Sequence, residues 1–176
     1  MNQNHLRFPI GELEIPKSIT SGMVEEWIKD ISLFPERLAQ LVKDLSPSDL
    51  GLTYRKGGWN IKQIVHHCAD SHLNSIIRFK LALTENNPTI RPYLEAKWAE
   101  LPDAQSADIS QSLMLIKGLH GKWSVLLNHL SELDMTRTYV HPEHGREFTI
   151  SQTIAMYAWH CNHHLAHIEL ALSNKK

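Results

Sequence analysis

The sequence has few cysteines and no excess of charge of either sign. Only Cys68 and Cys161 occur among 176 residues, and no CxxC pair is present. A disulfide scaffold and a cysteine-rich zinc finger are therefore excluded. Eighteen Lys and Arg stand against 19 Asp and Glu, which gives a net charge of -1. The chain lacks the basic footprint of a general nucleic-acid binder, so no nucleic-acid partner is expected.

Long apolar runs are also missing. The first 16 residues contain no run that could serve as a signal peptide. No stretch approaches the roughly 18 apolar residues that a membrane span needs. These absences predict a cytoplasmic protein with reduced thiols and no membrane partner. The length, with 42% hydrophobic and 21% charged residues, predicts one globular domain over residues 1–176.

Apolar residues spaced three and four apart predict four long helices. These cover about 20–45, 61–83, 108–130 and 151–173. Thr20 or Ser21 would cap the first, Asn60 with Gln63 would form a capping box for the second, and Ser151 would cap the fourth. Pro35 predicts a kink or break in the first helix. The pattern indicates an all-α four-helix bundle.

The connections constrain the topology of this bundle. Residues 84–107 form a long connection, with a short helix expected near 93–100, so the second and third helices can run parallel. Residues 137–149 alternate weakly in polarity and include Gly145, which permits a small hairpin before the fourth helix. The first 19 residues contain Pro9, Gly11 and Pro16 and are expected to form an extended arm.

Histidine is the residue in excess, with twelve copies. Because imidazole titrates near neutral pH, they could swing the net charge positive below pH 6. The second helix carries His66, His67 and His72, and the fourth carries His160, His163, His164 and His167. The other five, His5, His120, His129, His141 and His144, are scattered and expected at the surface.

Two histidine pairs of the fourth helix have the spacing of metal ligands. His160 and His164, and likewise His163 and His167, are four residues apart and share a helix face. With a third imidazole from another helix, such a pair can hold one divalent ion and leave a position open for water or substrate. On a helical wheel, His164 and His160 lie roughly 60° and 100° from the centre of the apolar face, whereas His167 and His163 lie roughly 120° and 160° away. The wheel favours His160 and His164.

A helical wheel of the second helix indicates which of its histidines is best placed to be the third ligand. His72 lies nearest the centre of its apolar face, whereas His67 falls on the far side. Pattern alone nominates His72 as the third ligand, and a flank buried by another helix would reverse this. Asp70 and Glu169 lie one turn from candidate ligands and could orient imidazoles, although solvated charges are the commoner reading of such residues.

Two segments resemble the DinB-like superfamily: Trp59–His67, and the stretch Trp159–Ile168 with its His-x-x-His-His motif. Further segments resemble the YfiT branch of that superfamily, whose members are described as metal-dependent hydrolases and include bacillithiol S-transferase relatives. These segments are Phe8–Glu12, Arg55–Trp59, Ile77–Glu85 and Trp98–Pro102. The resemblance spans nearly the whole chain.

The resemblance implies a four-helix bundle in up-down-down-up order, a homodimer and a cytoplasmic location. It implies one divalent ion per subunit, zinc or nickel, held by His67, His160 and His164. It thus selects His67, eight residues after Trp59, where the wheel selects His72. After His164 this chain has Leu165-Ala166-His167 where many members have Arg-Gly-Gln, so substrate contacts from that position are not carried over.

Three functions fit these observations. A metal-dependent hydrolase would use the ion to lower the pKa of a bound water and attack a small-molecule substrate, with no catalytic side chain assigned. A thiol S-transferase would instead hold a low-molecular-weight thiol, such as a bacillithiol-like one, as its thiolate. A non-catalytic bundle would hold the metal only for structure.

Overall fold

The computed structural model describes residues 4–175 and confirms the four-helix bundle. In chain order its elements are α1 (Asn4–Arg7), α2 (Ser21–Val42), α3 (Pro47–Leu50), α4 (Ile61–Thr84), α5 (Glu95–Trp98), α6 (Ser110–Leu127), α7 (Glu132–Met135), β1 (Thr138–His141), β2 (Arg146–Thr149) and α8 (Ile150–Ser173). The four long helices α2, α4, α6 and α8 form the bundle. Among the described residues no helix is both long and apolar enough to cross a membrane.

Side-chain caps fix where the long helices begin. The Thr20 side chain accepts the N–H of Met23 at the start of α2, and Asn60 and Gln63 form the predicted capping box of α4. The predicted Ser151 cap of the last helix is wrong by two residues. Thr149 caps α8 together with Gln152, because the chain passes from β2 into the helix without a loop.

Helix α2 continues through Pro35 to Val42, so the predicted break does not occur. Proline has no N–H, and it leaves the carbonyl of Ile31 without its usual donor four residues on. Ile31 is fully buried, and its carbonyl accepts a hydrogen bond from Nδ1 of His120 at 2.7 Å. This bond from α6 replaces the missing helical one and satisfies the buried oxygen.

The long helices form a square in which α2 and α4 lie at opposite corners, each packed against α6 and α8. In successive contacts between α4 and α6 the residue numbers increase on both helices, from His72–His120 to Phe79–Trp123. These two helices are therefore parallel. The long connection between them makes this possible.

The other two directions follow from similar pairs. In successive contacts between α4 and α8 the residue numbers increase on α4 and decrease on α8, from His67–His164 to Ser71–Tyr157. These helices are therefore antiparallel. Helix α2 is antiparallel to α6, since its early residues lie beside Leu127 and its later Ile31 lies beside His120. The order is therefore up-down-down-up, as the resemblance implied.

The predicted hairpin is present and antiparallel, with Thr138 opposite Thr149 and His141 opposite Arg146. The chain that leaves α4 runs alongside it. Val140 donates its N–H to the carbonyl of Pro88 at 2.9 Å, and its own carbonyl accepts the N–H of Ile90 at 3.0 Å. These bonds hold residues 88–95 against the hairpin, where both help to line a cavity near the histidines.

Candidate metal centre

Three histidines converge where α4 and α8 cross. His67 comes from α4, and His160 and His164 come from successive turns of α8. Their ligand nitrogens all lie within 4.8 Å of one another. His67 and His164 are buried and His160 is half-buried. The structure thus brings together the three residues that the resemblance named, while their role as ligands stays a prediction.

The spacing of two of these nitrogens suits a shared ion. The Nε2 atoms of His67 and His160 are 3.2 Å apart. Two nitrogen ligands at about 2.0–2.1 Å from a tetrahedral zinc are separated by about 3.3–3.4 Å. Burial also lowers the pKa of His67 to about 4, and it lowers the pKa of His160 and His164 well below the ordinary value. All three imidazoles are therefore neutral at pH 7 and have a nitrogen lone pair to offer.

A row of hydrogen bonds fixes which nitrogen of His160 carries that lone pair. The Ile31 carbonyl can only accept, so His120 Nδ1 carries a proton and its Nε2 accepts from His72 Nδ1 at 2.7 Å. His72 Nε2 then accepts from His160 Nδ1 at 3.0 Å. Because the imidazoles are neutral, Nε2 of His160 is left unprotonated, and it faces His67.

A second, shorter row does the same for His164. The carbonyl of Arg7 accepts from His167 Nε2 at 3.1 Å, so Nδ1 of His167 is an acceptor. Nδ1 of His164 lies 3.5 Å away and donates to it. Nε2 of His164 then carries the lone pair. Burial lowers the pKa of His167 to about 4, which keeps this row neutral.

The structure explains why the wheel favoured His72. His72 is fully buried at the centre of the bundle, as its position on the wheel predicted. Both of its ring nitrogens are occupied, by His120 and His160, so it has no lone pair to offer an ion. His67 is buried because α8 packs on a second flank of α4, and a wheel with one apolar face omits that flank.

The N-terminal arm accounts for another error. His163 and His167 were placed away from the core, yet both are buried. The arm crosses α8 at this point, where the Trp159 indole N–H donates to the carbonyl of Gly11 at 3.2 Å and Phe8 lies 6.0 Å from the His163 ring. The arm is not wholly extended, since it contains the helical turn α1.

The surface assignment was also wrong for His120 and His141, which are both buried. Sequence reasoning missed His120 as a partner of the site. Its only signal was Pro35, which predicts an unmet carbonyl at Ile31, but nothing in the sequence identified a donor 89 residues away. His66 binds Ser112 and the carbonyl of Ser106, so its ring nitrogens are occupied.

The carboxylates considered as orienting groups do not act on the cluster. The Asp70 carboxyl lies near Asp103 and His66, and burial raises its pKa to about 6. Glu169 is exposed. Among the described residues neither side chain forms a hydrogen bond to His67, His160 or His164. The orienting partners are instead histidines and, through them, backbone carbonyls.

The expectation that protonated histidines make the net charge positive below pH 6 does not hold for most of these residues. Burial lowers the pKa of eight of the twelve, namely His67, His72, His120, His141, His160, His163, His164 and His167. Burial therefore makes these eight side chains harder to protonate in the folded protein than free imidazole. The excess of histidine belongs to the interior of the bundle and not to its surface charge.

A cavity of about 140 Å³ reaches the cluster from the side of His160. Its walls come from α4, the 88–95 connection, the hairpin and α8. A larger cavity, of about 630 Å³, lies near the start of α2 and the end of α6, and no histidine lines it. Of these two cavities, the smaller one therefore offers a route by which a molecule could approach the cluster, on the side of His160.

Comparison with known proteins gives a consistent result. The model of the DinB superfamily matches residues 31–168. A protein of Bacillus cereus and one of Bacillus thuringiensis, each named "Putative metal-dependent hydrolase", are 48% identical over 165 residues and covered to 94%, as is this chain. The structure of YfiT from Bacillus subtilis, described as a probable metal-dependent hydrolase with an unusual four-helix bundle topology, matches with a TM-score of 0.92 and 44% identity, over 96% of this chain and 97% of that one.

Proposed function

The chain belongs to the DinB superfamily, and from that premise we propose that it is a metal-dependent hydrolase with one divalent ion held by His67, His160 and His164. The observation that carries the proposal is the convergence of three neutral imidazoles within 4.8 Å, two of them with their protons committed to other partners. A bound divalent ion would supply a Lewis acid and lower the pKa of a water molecule at its open position.

The residues of the chain prepare this site in two ways. Burial keeps His67 and His164 neutral, so that no proton has to leave before an ion binds. The rows that end at Ile31 and Arg7 orient the rings of His160 and His164. Zinc suits three nitrogen ligands with a fourth position free, and nickel is the alternative that the resemblance implies.

Metal analysis with alanine variants tests the ligand set. His67→Ala, His160→Ala and His164→Ala should each reduce the metal content from about one ion per chain to near zero. His66→Ala is the matched control, because His66 neighbours His67 but its nitrogens bind Ser112 and Ser106. Full metal content in any of the three variants would contradict the proposed set.

Turnover separates the possible reactions. Metal-loaded protein would be incubated with a panel of small esters, amides and reactive electrophiles, with and without an added low-molecular-weight thiol. Metal-dependent loss of substrate without thiol supports hydrolysis. Loss that requires the thiol and consumes it would replace hydrolysis with thiol transfer, and no reaction with any substrate would favour a structural ion.

We also propose that the protein is a cytoplasmic homodimer. The free and buried Cys68 and Cys161 suit a reducing compartment. Exposed apolar side chains, including Ile77 on α4 and Val125 on α6, flank a shallow groove between these helices that could contact a second copy. Light scattering should give a mass near twice 20.2 kDa, and the monomer mass would refute the dimer.

A further inference from the structure

The cavity beside His160 contains a charged group that the metal chemistry does not use. Arg78 of α4 lines it, together with Tyr93 of the connection and His141 of the hairpin. His160 and Tyr157 line its other end, next to the proposed ion. The cavity therefore has a metal end and an arginine end.

The side chain of Arg78 is nearly buried and forms no hydrogen bond or salt bridge with the described residues. Arg78 is only 8% exposed, and its Nε is completely buried without a hydrogen bond. Among the described residues no carboxylate forms a salt bridge with it. Arginine stays protonated in proteins, so this is a permanent buried charge, and such charges are strongly disfavoured unless something pairs with them.

The neighbours of Arg78 leave room for an anion. The exposed Glu95 also lines the cavity, and its carboxylate interacts with the charge of Arg78 without forming a salt bridge; Glu143 lines the cavity as well. The Nδ1 of His141 is buried without a hydrogen-bond partner, and the Tyr93 hydroxyl is buried with the Ser71 side chain beside it. Arg78 and His141 thus bring unpaired polar atoms to one small space, and Arg78 and Tyr93 carry N–H and O–H groups that can donate there.

Helix geometry connects this cluster to the metal end. Arg78 follows Ser71 by two turns of α4 and His67 by three, so all three lie on one face. Side chains on a helix lean towards its N-terminus, which directs Arg78 towards His160. A cavity of about 140 Å³ has the volume of roughly five water molecules, so only a short molecule could bridge the two ends.

We propose that this cavity binds a carboxylate on the substrate, held by the Arg78 guanidinium with Tyr93 and His141 beside it. A planar guanidinium fork matches the two oxygens of a carboxylate. The substrate class is therefore a small carboxylic acid whose reactive group lies a few bonds from the carboxylate. This inference rests on the proposed function, since the reactive group is placed at the ion held by His67, His160 and His164.

The test uses probes that bind at both ends. Thiols coordinate zinc as thiolates, so ω-mercaptocarboxylates of two to six carbons would be compared by calorimetry with the mercaptoalcohols and mercaptoamines of the same lengths, on zinc-loaded protein. The best carboxylate should bind at least about tenfold more tightly than its alcohol, and the amine should bind most weakly. A nearby carboxylate raises the pKa of a thiol, so thiol acidity cannot produce this order.

Two variants test whether Arg78 is the source of the preference for the carboxylate. Arg78→Gln should remove the advantage of the carboxylate and leave the affinity for the mercaptoalcohol unchanged, whereas Glu95→Gln should keep or increase it. If the alcohol and the carboxylate bind wild-type protein equally well, the carboxylate site is refuted even if Arg78→Gln does not fold. If no thiol of any charge binds, the proposed metal site fails instead, so the two failures are distinguishable.

Discussion

Nδ1 of His120 lies 2.7 Å from the carbonyl oxygen of Ile31, which Pro35 leaves without a donor in its own helix. This oxygen can only accept, so it decides the protonation of His120. Through His72 it also decides the protonation of His160, three side chains away. A missing backbone hydrogen on α2 thereby determines which nitrogen of α8 faces the proposed ion.

Replacing His120 should weaken metal binding, although His120 does not reach the cluster. In His120→Phe, His72 loses its acceptor and is free to carry its proton on Nε2. It would then donate to Nδ1 of His160 and drive the proton of His160 onto the nitrogen that faces the ion. Partners of this kind typically contribute 10- to 100-fold in metal affinity, so we expect a loss of about that size in competition with a chromophoric chelator.

A double variant separates this effect from simple destabilisation. His120→Phe also leaves the buried Ile31 carbonyl unpaired, which costs about 1–3 kcal/mol of unfolding free energy. Adding Pro35→Ala returns an N–H to that carbonyl and should restore stability in urea unfolding without restoring metal affinity. The exposed His129→Phe is the control for both measurements. Recovery of affinity along with stability would show that His120 acts only through folding.

The N-terminal arm should contribute to metal affinity through a backbone atom. Removing residues 1–11 deletes the Arg7 carbonyl that orients His167 and, through it, His164. The link between the two histidines is long, at 3.5 Å, so the loss of affinity should be smaller than in His120→Phe. Arg7→Ala keeps the carbonyl and should bind the ion normally. Equal metal affinities for the truncated and complete chains would show that the arm does not contribute to the site.

The metal-free protein should lose stability as the pH falls from about 6.5 to about 4. Burial lowers the pKa of His67 and His120 from 6.5 to about 4 in the folded state. Between these values the unfolded chain binds protons that the folded chain does not, so stability falls with falling pH, and above 6.5 it is flat. Each such histidine contributes up to about 1.4 kcal/mol per pH unit. Urea unfolding at pH 7.5, 6.5, 5.5 and 4.5 measures this, and constant stability down to pH 5 would contradict it.

The C-terminus should control the titration of Asp49. Lys175 contacts the Asp49 carboxylate at 2.8 Å, and this hydrogen bond, followed by those from Ser46, lowers the Asp49 pKa to about 2. Lys175→Met should raise that pKa in a carbon-detected NMR titration. Asp134, which caps α7 through Ser131 without a lysine, should not change. An unchanged pKa of Asp49 would show that Ser46 alone determines it.

Much of the fold was predictable because its signals are local. The capping box of Asn60 and Gln63 and the apolar spacing of α4 lie within one stretch of chain, and both predictions are confirmed. The same is true of the hairpin. The bundle order came from resemblance, since the sequence only showed that a long connection makes parallel helices possible.

The site was less predictable because its determinants are contacts between helices. Spacing on α8 selected His160 and His164, but no property of α4 alone distinguishes His67 from His72. The difference is that α8 covers the flank of His67, while His120 and His160 occupy both nitrogens of His72. Such information is absent from any single helix, and only the family resemblance pointed to His67.

The proline of α2 changes what it would mean to move this site to another protein. Grafting three histidines onto a designed bundle would reproduce the positions of their rings but not their tautomers. A transferable unit would also need Pro35, the freed carbonyl of Ile31 and the relay through His120 and His72, which together involve all four long helices once His160 is counted. Here a residue normally avoided in helix interiors would be a design requirement.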